Sequence, residues 1–389
     1  MNKYKTGLKN LMENQLDKLK DRRIGLLTNH TGLTVDLKSN IDLFYNHPDL
    51  NLVKLFGPEH GVRGNAAAGD KVDNQIDSKT GLEMISLYGA SKKASAEMLE
   101  DLDAVVFDIQ DLGLRFYTYL STLLYTVESC GENKVKLLIL DRMNPLGRKL
   151  EGNIVQPEFS SFIGLYPLPH RHGMSFGEIA QWANREFNLE ADLEVIKCSG
   201  WQGENFAELS ADNNLFWIPP SPAVPNFKTA AVYPITCMLE GTNISEGRGT
   251  ANPFEYFGAP WIDPEELRTE LESRGLPGLR FRAVYFIPQS SKHQGKECGG
   301  VQILISDQNK VDSYLSSLTI IKTLFKLYPE QTKWLKPSKQ GEHYFFDLLM
   351  GTDRVRKMVD QNYKAENIMA SWQDQLKEFK KIRKKYLIY

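Results

Sequence analysis

At 389 residues the chain is long for a single hydrophobic core and suits two domains. Its 41% hydrophobic and 25% charged content is ordinary for a folded globular protein, and a formal net charge of -2 gives no electrostatic case for a nucleic-acid partner. No run reaches the length of a membrane span, and the cysteines, Cys130, Cys198, Cys237 and Cys298, stand too far apart for a metal or redox motif, so they read as buried free thiols.

The start, Met1 to Gly7, lacks the apolar core of a secretory signal. The expectation is a cytoplasmic chain, or a secreted, wall-associated one if a signal has been removed. Leu8 to Asp21 reads as an amphipathic lead-in helix. Five short apolar runs follow: Ile24 to Leu27, Leu52 to Phe56, Met84 to Leu87, Ala104 to Phe107 and Val135 to Leu140. They have the composition of buried strands. Helical patterns lie between or after them near Leu37 to Asn46, Ser95 to Leu102, Arg115 to Cys130 and Ser175 to Phe187, the last with Ser175 and Glu178 placed as a capping box. Leu193 to Lys197 reads as one more strand. This alternation predicts a Rossmann-like parallel sheet with crossover helices.

The proline-rich stretch Trp217 to Asn226 marks a boundary, and we divide the chain into domains 1–228 and 229–389. Beyond it, strands at Phe281 to Ile287 and Gly300 to Ile305 and helices near Val311 to Leu327 and Ile368 to Tyr386 predict a smaller α+β domain. Between the halves lies the glycine-rich stretch Leu239 to Thr250, too long for a turn and suited to reach over a crevice.

In a parallel sheet the strand carboxyl ends face one crevice, where ligands bind. Here those ends carry Asn29, His60, Asp108, Asp111, Asp141 and Arg142. Glu59, between Pro58 and His60 after a predicted central strand, is partly desolvated there, which suits general acid work. The alternative is a helix cap or a pair with Arg63. Asp108 and Asp111 supply the second carboxylate that glycoside hydrolysis calls for, or form salt bridges to Arg115. Arg115 opens the next helix, where a guanidinium binds a carboxylate in bidentate fashion, with Tyr117 and Tyr119 beside it. His172 follows His170 and Arg171, without the third ligand a metal needs. Thr28 to Gly32 lacks the glycine fingerprint of a dinucleotide site. No cofactor and no metal are expected. In the glycine-rich loop, Glu240, Asn243, Glu246 and Arg248 are either site residues or solvated charges.

The stretches Leu27 to Gly32, Leu55 to Gly64 (LFGPEHGVRG), Phe107 to Tyr119 (FDIQDLGLRFYTY), Leu140 to Pro145 (LDRMNP), Gly164 to Pro167, His172 to Met174, Leu239 to Gly249 (LEGTNISEGRG), Ser291 to Gly295 (SKHQG) and the terminal Lys384 to Tyr389 closely resemble the exo-β-N-acetylmuramidases, glycoside hydrolase family 171. The resemblance implies an enzyme that releases N-acetylmuramic acid from the non-reducing ends of peptidoglycan fragments, in wall turnover or muropeptide recycling. It implies a site in the cleft between the two domains, with Glu59 as the catalytic acid. Asp108, Asp111, Arg115, His172, Glu240, Asn243 and Arg248 fall in matching motifs. The sugar's lactyl carboxylate calls for a cation, for which Arg115 and Arg248 are the candidates. The competing readings are a non-catalytic sugar-binding protein and a nucleotide-dependent enzyme.

Overall fold

Residues 3–64, 74–89, 91–337, 339 and 342–389 are described by the computed structural model, so Met1 and Asn2 of the stretch read above lie outside them. The chain separates into two compact units. The first comprises Met1–Lys149, Gly173–Pro222 and Lys381–Tyr389, and the second Leu150–His172 and Ala223–Lys380.

The strands are, in chain order, β1 (Arg23–Thr28), β2 (Asn51–Gly57), β3 (Gln75–Ile76), β4 (Glu83–Ser86), β5 (Ala104–Asp108) and β6 (Lys136–Leu140). They continue with β7 (Glu151–Ile154), β8 (Pro169–Arg171), β9 (Leu193–Ile196), β10 (Tyr256–Ala259), β11 (Leu279–Phe286) and β12 (Cys298–Ile305). In the first unit a seven-stranded sheet has the order β3-β4-β2-β1-β5-β6-β9. All pairs are parallel except the antiparallel edge β3/β4. The alternation of apolar runs and helices therefore does build a parallel sheet. Its direction of growth reverses between β1 and β5, where Thr28 stands opposite Asp108. Every residue of β5 is buried, which is why that run carries no polar alternation.

The helices used below are α1 (Gly7–Asn14), α2 (Asn40–Tyr45), α3 (Ala96–Leu99), α4 (Thr118–Asn133), α5 (Phe176–Glu186), α6 (Phe206–Asn213) and α7 (Phe227–Thr236). Ser175 caps α5 in a complete capping box with Glu178. The expected helix from Arg115 starts only at Thr118, with Tyr117 as its extended first cap, so Arg115 and Tyr117 lie on the approach to the helix. The lead-in helix is also shorter than expected: α1 ends at Asn14 and a 3-10 turn covers Leu16–Leu19.

In the second unit, β10, β12 and β11 form an antiparallel sheet and β7 pairs with β8, also antiparallel. The expected terminal helix is broken in two, Ala365–Ala370 and Gln373–Lys384. Among the described residues no helix is long and apolar enough to cross a membrane.

Candidate active site

Glu59 follows β2 in a loop whose next two residues, His60 and Gly61, both have positive φ, 72° and 74°. A histidine pays a steric penalty in that conformation that glycine does not. The turn leaves Glu59 half-buried while Asp108 and Asp111 are buried. The Thr118 hydroxyl, in the first turn of α4, donates to Glu59 Oε2 at 2.6 Å. The amino end of a helix also favours a carboxylate through its dipole. Tyr88, just after β4, hydrogen-bonds the same carboxylate; burial and then the nearby charge of Glu59 raise its phenol pKa and keep it protonated.

Tyr119 feels the same carboxylate, and its hydroxyl donates to the Pro220 carbonyl at 2.6 Å and lies within hydrogen-bond reach of Asn29. The Tyr117 ring meets Tyr119 edge-on, 5.0 Å between centroids. Asn29 Oδ1 accepts from the amide and the hydroxyl of Thr31, holding the turn after β1. His30 Nε2 donates to the Pro219 carbonyl, and burial lowers its pKa, with His60 nearby adding to that. Gly64, at φ 74°, has no room for a side chain because a Cβ there would stand 2.1 Å from His30 Nδ1.

A second cluster sits where β1, β5 and β6 end. Asp108 Oδ1 accepts from Arg142 Nε at 2.7 Å and Oδ2 from Asn40 Nδ2 at 2.8 Å. Arg142 also reaches the Leu33 carbonyl. The partner of Asp108 is thus Arg142, where the sequence suggested Arg115. Arg63 makes a bidentate pair with Asp77 rather than with Glu59.

Asp111 and Asp141, which follow β5 and β6, both have raised pKa values. Burial raises Asp111 to about 7 against the hydrogen bonds of the Leu112 and Gly113 amides, with Asp141 adding to the rise. Asp141, raised to about 6 by burial, accepts from the Arg142 and Gly177 amides, the Ser175 hydroxyl and the Tyr389 hydroxyl. Those donors place Asp141 as the anchor of the α5 start.

Arg115 and His172 are fully buried. In the second unit the glycine-rich loop folds into an ionic network. Arg248 donates twice to Glu240, at 3.0 and 2.7 Å, and pairs with Glu246 at 3.3 Å. Lys292 completes it at 2.9 Å from Glu246 and donates to the Leu239 and Ile244 carbonyls. Two cations face two carboxylates, so this group is electrically neutral. The Asn243 side chain is spent on the Gln331 carbonyl and the Lys333 amide.

Sequence reasoning missed Thr118, Asn40 and Lys292 as members of these clusters. Thr118 and Lys292 lie inside the FDIQDLGLRFYTY and SKHQG stretches, which were the available signal; Asn40 had none. Among the described residues no group of three or more His, Cys, Asp or Glu side chains could hold a metal ion.

Two family models match the chain in succession. Residues 24–228 match the family model described as "Exo-beta-N-acetylmuramidase NamZ, N-terminal" and residues 231–389 match "Exo-beta-N-acetylmuramidase NamZ, C-terminal". The peptidoglycan beta-N-acetylmuramidase NamZ of Bacillus subtilis (strain 168) is 46% identical over 388 residues, which is 100% of this chain and 92% of that protein. Two crystal structures of DUF1343 family proteins from Bacteroides fragilis NCTC 9343 are also similar. One has a TM-score of 0.90 at 34% identity and the other 0.79 at 32%, each covering 100% of this chain and 99% of its own.

Proposed function

The chain belongs to the exo-β-N-acetylmuramidase family, and we infer from that membership that it is an exo-acting glycosidase releasing N-acetylmuramic acid from peptidoglycan fragments. The competing sugar-binding reading is not favoured, because the relative that matches the whole chain is named for an enzyme activity.

Glu59 is the general acid. The observation that carries this assignment is its exposure: of the three carboxylates singled out by the sequence as catalytic, it alone is half-buried and within reach of a substrate. Thr118 and Tyr88 both hydrogen-bond its carboxyl group and fix its position. Asp108 supports the site from behind by holding Arg142 and Asn40. A sugar with a 2-acetamido group can supply its own nucleophile, and that route needs an acid to protonate the leaving oxygen but no carboxylate nucleophile. The set of residues around Glu59 fits that route.

The lactyl carboxylate needs a guanidinium. Arg115 and Arg248 are the two candidates, and Arg248 is already paired with Glu240 and Glu246.

The test is hydrolysis of a chromogenic β-N-acetylmuramide beside the matching β-N-acetylglucosaminide. The wild type cleaves the muramide, and Glu59→Gln lowers turnover at least ~100-fold. Near wild-type turnover in Glu59→Gln would remove the acid role; cleavage of neither sugar by the wild type would remove the function.

A further inference from the structure

The first unit carries a pocket beside the Asp108–Arg142 pair whose lining does not include Glu59. Its lining includes Leu33, Leu37, Gln110 and Arg142 from the segments that follow β1, β5 and β6, together with Phe206, Phe216 and Trp217. It holds about 70 Å³ on a scale where one water takes roughly 10–15 Å³, which is room for about five to seven non-hydrogen atoms, such as an acetamido group and the adjoining edge of a sugar ring.

Its rim is unusual for a soluble surface. Leu37 is 50% and Phe216 65% exposed, and both line the pocket. Leu37 also has φ 61°, a conformation disfavoured for any residue with a Cβ and one that tends to persist where a binding site requires it. Phe206 and Trp217 meet edge-on at 5.1 Å, so each ring is held in a fixed orientation by the other.

The polar lining sets the ligand's charge. Arg142 is the pocket's guanidinium, and Asp108 neutralises it at 2.7 Å. Gln110 spends its amide N–H groups on the Asp111 and Met143 carbonyls, so what it offers the pocket is an acceptor. Aromatic and aliphatic walls with a few neutral polar groups suit the C–H face and acetamido methyl of a sugar, and give no net attraction to a carboxylate.

We propose that this pocket is a second saccharide site for one uncharged N-acetylated aminosugar ring, the sugar that alternates with muramic acid in the substrate. The proposal rests on the muramidase reading for that identity. The pocket wall also touches the acid's surroundings: it ends in Trp217 and Ile218, and the carbonyls of the next residues, Pro219 and Pro220, are held by His30 and by Tyr119, the tyrosine that senses Glu59.

The experiment is a calorimetric titration with di-N-acetylchitobiose, which has no lactyl carboxylate, using wild type, Phe216→Ala and Phe216→Tyr. Saturable binding by the wild type is expected, weakened about tenfold in Phe216→Ala by the lost ring surface and restored in Phe216→Tyr. Because Phe216 is largely exposed, the variants should melt with the wild type. No binding, or equal affinity in Phe216→Ala, would overturn the site; tighter binding of free N-acetylmuramic acid than of chitobiose, lost in Phe216→Ala, would overturn its assignment to an uncharged sugar. Absence of muramide cleavage by the wild type would remove the proposed function instead, and the titration, which needs no turnover, would still decide whether the pocket binds an aminosugar.

Discussion

At the scale of single residues, the same side-chain type meets different fates according to what the fold puts beside it. Glu59 is half-exposed and held by two hydroxyls, Asp108 is closed in by an arginine and an asparagine, and Asp111 is buried with its acidity pushed to about 7. The last has a consequence for stability. An unfolded aspartate titrates near ~3.9, so between about 4 and 7 the folded chain binds the extra proton at Asp111. Stability from this group is complete below about pH 4 and is lost as pH rises to about 7. Asp141, raised to about 6, acts in the same direction. Asp111→Asn, which mimics the neutral acid, should shrink the loss of stability between pH 5 and pH 8 by on the order of 2–4 kcal/mol. Urea unfolding of both proteins at the two pH values measures it, and an unchanged difference would show that Asp111 is ionised in the fold.

At the scale of elements, the glycine-rich loop is the clearest case of a motif whose individual residues point elsewhere once folded. Read along the chain, Glu240, Glu246 and Arg248 are three charges available to a substrate. Folded, they satisfy one another, with Lys292 arriving from a segment some 45 residues later and buried Glu246 between two cations. Removing one partner strands buried charge. Arg248→Ala should therefore cost roughly 3–5 kcal/mol of stability, seen as a lower midpoint in guanidinium unfolding, and lost activity in that variant would partly report unfolding. A midpoint equal to wild type would mean that the network contributes little and that Arg248 is free for another task. The start of α5 is organised in a similar way: its capping box was legible as Ser175 and Glu178 three residues apart, whereas the buried Asp141 that receives the Ser175 hydroxyl was legible only as a polar residue after a strand.

At the scale of the molecule, the chain's last residues return to the first unit. The Tyr389 hydroxyl donates to Asp141 at 2.7 Å and accepts from the Cys198 amide at 3.0 Å, and the Ile388 amide donates to Glu178. The Arg148 guanidinium lies 4.6 Å from the Trp201 ring centre and 5.9 Å from that of Tyr389. The carboxy terminus thus serves as a structural part of the first sheet's surroundings. A chain lacking residues 386–389 should melt at least about 5 °C lower, since several buried hydrogen bonds go together. An unchanged melting curve, followed by circular dichroism, would show that the contact is dispensable.

The sequence by itself determined the parallel sheet, because a strand buried on both faces must be a short apolar run and its crossovers must be helical. It also determined that polar residues gather at the carboxyl ends of those strands, and its longer motifs placed Glu59 in a recognisable loop. The tertiary structure alone decided which charges are spent on one another: Asp108 with Arg142, Arg63 with Asp77, Arg248 with Glu240 and Glu246. These pairs join residues from 2 to 34 positions apart whose type gives no hint of partner or burial. An ion pair depends on distance and dielectric, and both are properties of the packed molecule, whereas the period of apolar residues that makes a strand or a helix is already written along the chain.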